Sequence, residues 1–142
     1  MLSPSRNPKF LSALPSGFVF VGSHQIAGRG RGANAWLSPP GCLQFSLVLR
    51  APRTLGSRLV FVQYLFGLAV VEAVRSLSGY EGVEIRLKWP NDLYVVMPRS
   101  GPVSEPLSGE DGDLRKIGGI LVNSFFAGGD FTIIIGKLSR GT

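Results

Sequence analysis

A chain of 142 residues with 44% hydrophobic and 17% charged side chains has the balance of one globular domain, which excludes a disordered tail. Its 19 Gly and 10 Pro point to many turns and short strands and exclude a helical bundle. The net charge is +6, and because Glu105, Glu110, Asp111 and Asp113 crowd one stretch, the remainder is more basic still and suits phosphate-bearing partners.

Residues 1–16 are rich in Ser and Pro and are expected to form a flexible lead-in. They lack the continuous apolar core of a secretory signal. Gly17-Phe-Val-Phe-Val-Gly22 predicts a short strand, and the Gly- and Arg-rich run from Ala27 to Asn34 predicts a loop. Cys42, the only cysteine, excludes an internal disulfide, fits a cytoplasmic setting and suits a small buried thiol. Leu43 to Leu49 predicts a strand buried more deeply at one end. From Ser57 to Leu77, Leu59, Val62, Phe66, Ala69, Val70, Ala73 and Leu77 recur at helical spacing, with Ser57 available as a cap. Gly67 inside this helix costs about 1 kcal/mol relative to Ala, which suggests close packing there. Phe61, Tyr64 and Phe66 are expected to pack in the core and on its flank. The apolar stretch from Leu59 to Val71 is shorter than the ~20 residues of a membrane span, so no membrane role is expected.

Glu84 to Trp89 and Leu93 to Val96 predict two strands around a tight turn at Pro90-Asn91-Asp92. Residues 97–115 predict a flexible insert. Lys116 to Phe126 and Asp130 to Gly136 predict a hairpin closed by Ala127-Gly128-Gly129. One long helix and several adjacent strands predict an α+β domain over 17–136, with a mixed, largely antiparallel sheet packed against that helix. Residues 137–142 form a separate tail in this scheme.

Three clusters could carry chemistry. Gly28-Arg29-Gly30-Arg31-Gly32 could bring backbone N–H groups and guanidiniums against phosphate oxygens. It is no dinucleotide fingerprint, because it runs into Trp36-Leu37-Ser38-Pro39 rather than a helix, and it lacks the Gly-Lys-Ser/Thr of a P-loop. Nucleic-acid binding by such a segment usually needs a longer repeated tract, so no nucleic-acid partner is expected. In Lys88-Trp89-Pro90-Asn91-Asp92, a Lys at a strand end before a Pro-fixed turn could lower the cost of bringing a carboxylate to an α-phosphate. The alternative is an edge-strand Lys with a turn cap. In Lys116-Ile117-Gly118-Gly119-Ile120-Leu121, the paired glycines could clear a patch of sheet for a flat ligand, or could mark a β-bulge. His24 suits a structural role, and Asp92 suits a turn more than a metal.

In this order, Gln25, Ala27-Gly28-Arg29-Gly30-Arg31, Trp36-Leu37-Ser38-Pro39, Lys88-Trp89-Pro90-Asn91-Asp92 and Lys116-Ile117-Gly118-Gly119-Ile120-Leu121 resemble the motif series of biotin–protein ligases, closest to the holocarboxylase synthetase type. The resemblance covers Gly17 to Gly136 and implies the class II synthetase-like catalytic fold shared with lipoate ligases. It implies condensation of biotin with ATP, normally with Mg²⁺, to biotinyl-5′-adenylate, and transfer to a lysine on the biotin-acceptor domain of a carboxylase. By the same resemblance, Lys88 and Arg31 are catalytic, with Lys88 touching both the biotin carboxylate and the phosphate. Gln25 contacts biotin, and Gly28, Arg29, Gly30 and Arg31 close over the adenylate. Trp36 packs near adenine, Gly118 and Gly119 floor the pocket, and Asn91 and Lys116 contribute to it; no protein-held metal site is implied. The family's Thr-Asn-bearing upstream segment and its small C-terminal domain have no counterpart here. The chain therefore reads as an incomplete copy, and a fragment that binds biotin or a partner without turnover is the alternative.

Overall fold

The computed structural model describes residues 8–29, 35–38, 40–97 and 113–139. Its elements in chain order are α1 (Pro8–Ala13), β1 (Phe18–Gly22), β2 (Gln25–Arg29), β3 (Ala35–Ser38), β4 (Gln44–Pro52), a 3₁₀ segment (Arg53–Phe61), α2 (Val62–Arg75), β5 (Ile85–Lys88), β6 (Asp92–Met97), β7 (Asp113–Ala127) and β8 (Asp130–Ser139). Six strands form one sheet in the order β1-β4-β8-β7-β6-β5, and β2 pairs with β3 as a separate ribbon.

The α+β class holds. Every strand pairing among the described residues is antiparallel, so the expected mixed character is not seen there. The long strands β7 and β8 are joined at Gly128-Gly129, both at positive φ (65° and 94°), as a tight two-residue hairpin turn requires.

The sheet has two distinct faces. Alternation along the strands sends Ala51, Leu93, Ile120, Ile133 and Ile135 to one side, where they form the core with Val71 of α2. Leu59, Val62, Phe66 and Val70 pack against this cluster, and Phe66 meets Phe45 at 5.8 Å between ring centroids. Gly67 lets α2 approach closely: a Cβ there would stand 3.1 Å from Leu87 Cδ2 and 3.5 Å from Ile120 Cδ1.

Several boundaries differ from expectation. The α-helix begins at Val62, because Arg53–Phe61 is wound as 3₁₀; Ser57 lies inside that segment and caps nothing. Arg53–Arg75 together span 23 residues and contain an 18-residue window of mean hydropathy 1.5, long and apolar enough by length and composition to cross a membrane, so the length argument from Leu59 to Val71 fails. Its inner face is nevertheless the domain core, while Val60, Phe61, Leu65 and Leu68 are exposed.

The lead-in is not free over 8–16. Arg50, on the sheet face opposite α2, donates to Thr132 Oγ1 (2.7 Å), to Leu14 O (3.1 Å) and to Ser12 O, and Ser16 Oγ accepts from Arg50 N. These bonds dock α1 and bury Leu11. At the other end β8 runs through Lys137-Leu138-Ser139, so the domain does not stop at Gly136. Residues 98–112 of the expected insert lie outside the described residues, while Met97 belongs to β6 and Asp113 to Arg115 belong to β7.

Candidate active site

Among the described residues, the face opposite α2 is buried both near α1 and along β4 and β8, where Gln44, Ser46 and Gly136 are covered. Val48, Thr132 and Ile134 are buried there, near the docked α1. Toward the other end small and polar residues are interspersed with leucines. Strand register aligns Gln44, Leu138, Gly119, Asp92 and Lys88 in one row across β4, β8, β7, β6 and β5. The next row on the same face is Ser46, Gly136 and Leu121. Adjacent strands lie about 4.8 Å apart, so Lys88 is roughly 10 Å from Gly119 and roughly 19 Å from Gln44 along the row.

Gly119 leaves the Asp92 carboxylate uncovered on the β7 side. A Cβ at Gly119 would stand 3.6 Å from Asp92 Oδ1 and 3.7 Å from Asn91 O. The paired glycines do not act alike, however. Gly118 pairs with the buried Leu93 and lies toward α2, so only Gly119 belongs to the face opposite α2.

Between them lies the bulge that the sequence left as an alternative. Leu93 pairs with Gly118 and Tyr94 pairs with Lys116, so Ile117 is an extra residue in β7. Regular alternation from Ile120 and Gly118 would send Lys116 toward α2. The extra residue turns it to the opposite face, where its Nζ lies 2.7 Å from Asp92 Oδ2. Both side chains are about three-quarters buried. Asp92 is therefore more than a turn residue: it holds a lysine from the neighbouring strand.

Lys88 ends β5 opposite Asp92, with its ammonium 5.5 Å from the Tyr94 ring centroid, and it is exposed. The turn that follows contains a cis Trp89–Pro90 peptide bond and is held from two sides. Ile120 N donates to Asn91 O (2.8 Å) from β7. From α2, Gln63 donates to Pro90 O, and Tyr64 Oη accepts from Trp89 Nε1. A cavity of about 110 Å³ lies between α2 and the turn, lined by Gly67, Leu87 and Ile120 among others. Lys88, Asn91 and Asp92 also line it, so it adjoins the row at its β5–β6 end.

The β2–β3 ribbon carries the Gly-Arg segment. The expectation of a loop from Ala27 onward is corrected here, since Ala27, Gly28 and Arg29 belong to β2. Gly28 is buried and pairs with Trp36, and Gln25 pairs with Ser38. Gln44 Nε2 donates to Ser38 O (3.4 Å), which ties the ribbon to the first strand of the polar row. Ser38 Oγ is buried without a hydrogen-bond partner among the described residues. Gly30 and Arg31, with the side chains of Arg29 and Trp36, lie outside the described residues, as does the expected convergence of Arg29 and Arg31 with Lys88.

The structure thus brings Lys88, Asn91, Lys116 and Gly119 to one end of one sheet, with Gln25 and Gly28 on the ribbon beside the row. Sequence reasoning missed Gln44, Ser46 and Gly136. Alternation along β4 could have placed Gln44 and Ser46 on the face opposite Phe45. Gln63 and Tyr64 were also missed, since helical spacing does not say which turn a helix meets. His24 is exposed beside Ser23 Oγ (3.4 Å), and Cys42 is the expected buried free thiol.

The profile of the biotin/lipoate A/B protein ligase family matches residues 3–137. The chain belongs to this family. It is 43% identical over 122 residues to the biotin–protein ligase of Homo sapiens, covering 84% of this chain and 15% of the relative. It is 35% identical over 134 residues to the Schizosaccharomyces pombe enzyme of the same name, covering 92% of this chain and 20% of the relative. Among solved structures, biotin acetyl coenzyme A carboxylase synthetase from Helicobacter pylori, with bound biotinylated ATP, matches at TM-score 0.65 and 26% identity, over 97% of this chain and 54% of the other. Biotin protein ligase from Aquifex aeolicus, in complex with biotin and ATP, matches at TM-score 0.61 and 26% identity, over 93% and 46%. The chain therefore spans about half the length of these solved structures and a fifth or less of the two eukaryotic relatives.

Proposed function

We propose that this protein activates biotin with ATP to form biotinyl-5′-adenylate, and passes the biotin to a lysine on the biotin-acceptor domain of a carboxylase. The observation that carries this reading is the pairing of Lys116 with Asp92 on the sheet face opposite α2, with Asp92 in the same row as Gly119 and Lys88. Two ammonium groups and a side-chain-free floor are what an acyl carboxylate meeting a triphosphate needs. Relatives solved with biotin and ATP support the choice of substrates.

In the first step a biotin carboxylate oxygen attacks the α-phosphorus of ATP. The bond from that phosphorus to the β-phosphate bridging oxygen breaks, and pyrophosphate leaves. Lys88 offsets part of the repulsion between the two anions, Lys116, whose charge Asp92 already partly balances, adds N–H donors, and Arg29 and Arg31 add guanidinium hydrogen bonds to phosphate oxygens. In the second step the acceptor lysine's neutral amine attacks the acyl carbon, AMP leaves, and the amine loses its proton. No nucleophile of this chain is required.

Mg²⁺ fits as a companion of the nucleotide. Among the described residues no group of three or more His, Cys, Asp or Glu could hold a metal, and Asp92 is already paired with Lys116. Magnesium commonly rides on substrate phosphates with few protein ligands. The buried free Cys42 suits a reducing compartment, and we place the protein in the cytoplasm. Incubation with biotin, ATP and Mg²⁺ followed by mass spectrometry tests the proposal: biotinyl-5′-adenylate is the expected product, and unchanged ATP and biotin refute it.

A further inference from the structure

Lys88 follows three strand residues and precedes a turn in which Trp89 is 75% exposed and Pro90 and Asn91 are half-buried. A four-residue edge strand paired only to β6 holds its end weakly. Two ties on this turn come from α2. Gln63 donates its amide N–H to Pro90 O, and Trp89 donates its indole N–H to Tyr64 Oη. Both partners sit in the first turn of α2, one turn before Gly67, whose missing side chain brings the helix against Leu87. Beyond the turn, Asn91 O accepts from Ile120 N, so the segment is gripped by helix and sheet together.

We infer that Gln63 and Tyr64 are positioning residues, which clamp the Trp89–Pro90 turn to α2 and thereby fix the Lys88 ammonium relative to Asp92 and Lys116. The inference rests on the proposed activity only for its functional consequence; the clamp itself is a statement about structure. A side chain that must meet reacting atoms within a fraction of an ångström loses rate when its support loosens, even though the substrate still binds.

The test uses the full chain with Gln63→Met and Tyr64→Phe, singly and together, which remove the hydrogen-bonding groups while keeping most of the volume. Amide hydrogen exchange is read first. The double variant is expected to exchange about tenfold faster across residues 86–93 and at Ile120, with β4 and β8 unchanged. Unaltered exchange in the turn overturns the clamp. Adenylate formation is read second. The double variant is expected to lose about tenfold in kcat with little change in KM for biotin, and to lose nothing further in a Lys88→Ala background. An equal loss with and without Lys88 overturns the assignment as a positioning device. A wild-type chain that makes no adenylate counts against the ligase proposal, and hydrogen exchange then decides the clamp by itself.

Discussion

Lys116 Nζ lies 2.7 Å from Asp92 Oδ2 because Ile117 is an extra residue in β7. Without that bulge the ammonium would point toward the apolar side occupied by α2. The pair is partly buried, between the exposed case, in which an ion pair contributes little, and the buried case, in which a lone charge is costly. Asp92→Asn is therefore expected to lower stability by about 1–2 kcal/mol. Urea unfolding of the two single variants and of Asp92→Asn with Lys116→Met checks this: the double variant should lose less than the sum of the singles.

Arg50 is the tie between the N-terminal segment and the sheet. Its guanidinium serves Thr132 Oγ1 and two carbonyls of the α1 region, and the adjacent Leu11 is buried. Arg50→Ala is expected to cost about 3 kcal/mol, with loss of both the hydrogen bonds and the packing of its stem. Limited trypsin digestion should then cut at Lys9 under conditions where the parent chain resists.

Ile135 is almost wholly buried at the centre of the α2-side cluster. Ile135→Ala removes buried methyl and methylene groups and leaves a cavity, at an expected 2–5 kcal/mol by the usual cost of such truncations. Ile135→Val should cost about 1 kcal/mol. Equilibrium denaturation measures both.

Gly129 holds φ at 94°, which L side chains rarely adopt. Gly129→Val is expected to destabilise the β7–β8 hairpin by about 1–2 kcal/mol, although open space surrounds its Cβ position. A melting curve that does not move would contradict the strain argument.

The strands were legible because alternation and glycine punctuation are local signals. Pro90-Asn91 and Gly128-Gly129 mark turns that the structure reproduces, although Trp89 joins the first turn and Asp92 already begins β6. Gly67 likewise announced a close approach. Other features depend on partners distant in sequence. Nothing near Pro8–Ala13 reveals that Arg50 will bind it, so a docked helix read as a flexible lead-in. The 3₁₀ winding of Arg53–Phe61 preserves the apolar spacing of an α-helix closely enough to hide the change. At the candidate site, motif order singled out Lys88, Lys116 and the paired glycines, but only the register showed that Gly118 and Gly119 lie on different faces. The Asp92–Lys116 pair depends on a bulge whose presence could be suspected and whose consequence could not.

Biotin-dependent exchange of labelled pyrophosphate into ATP measures the activation step directly. The parent chain is expected to catalyse it, with Lys116→Ala and Lys88→Ala each reducing the rate by about a hundredfold or more, as loss of a cation from an electrostatic site commonly does. Exchange that proceeds at the parent rate in both variants would contradict the claim that the Lys88–Lys116 end of the sheet carries the chemistry.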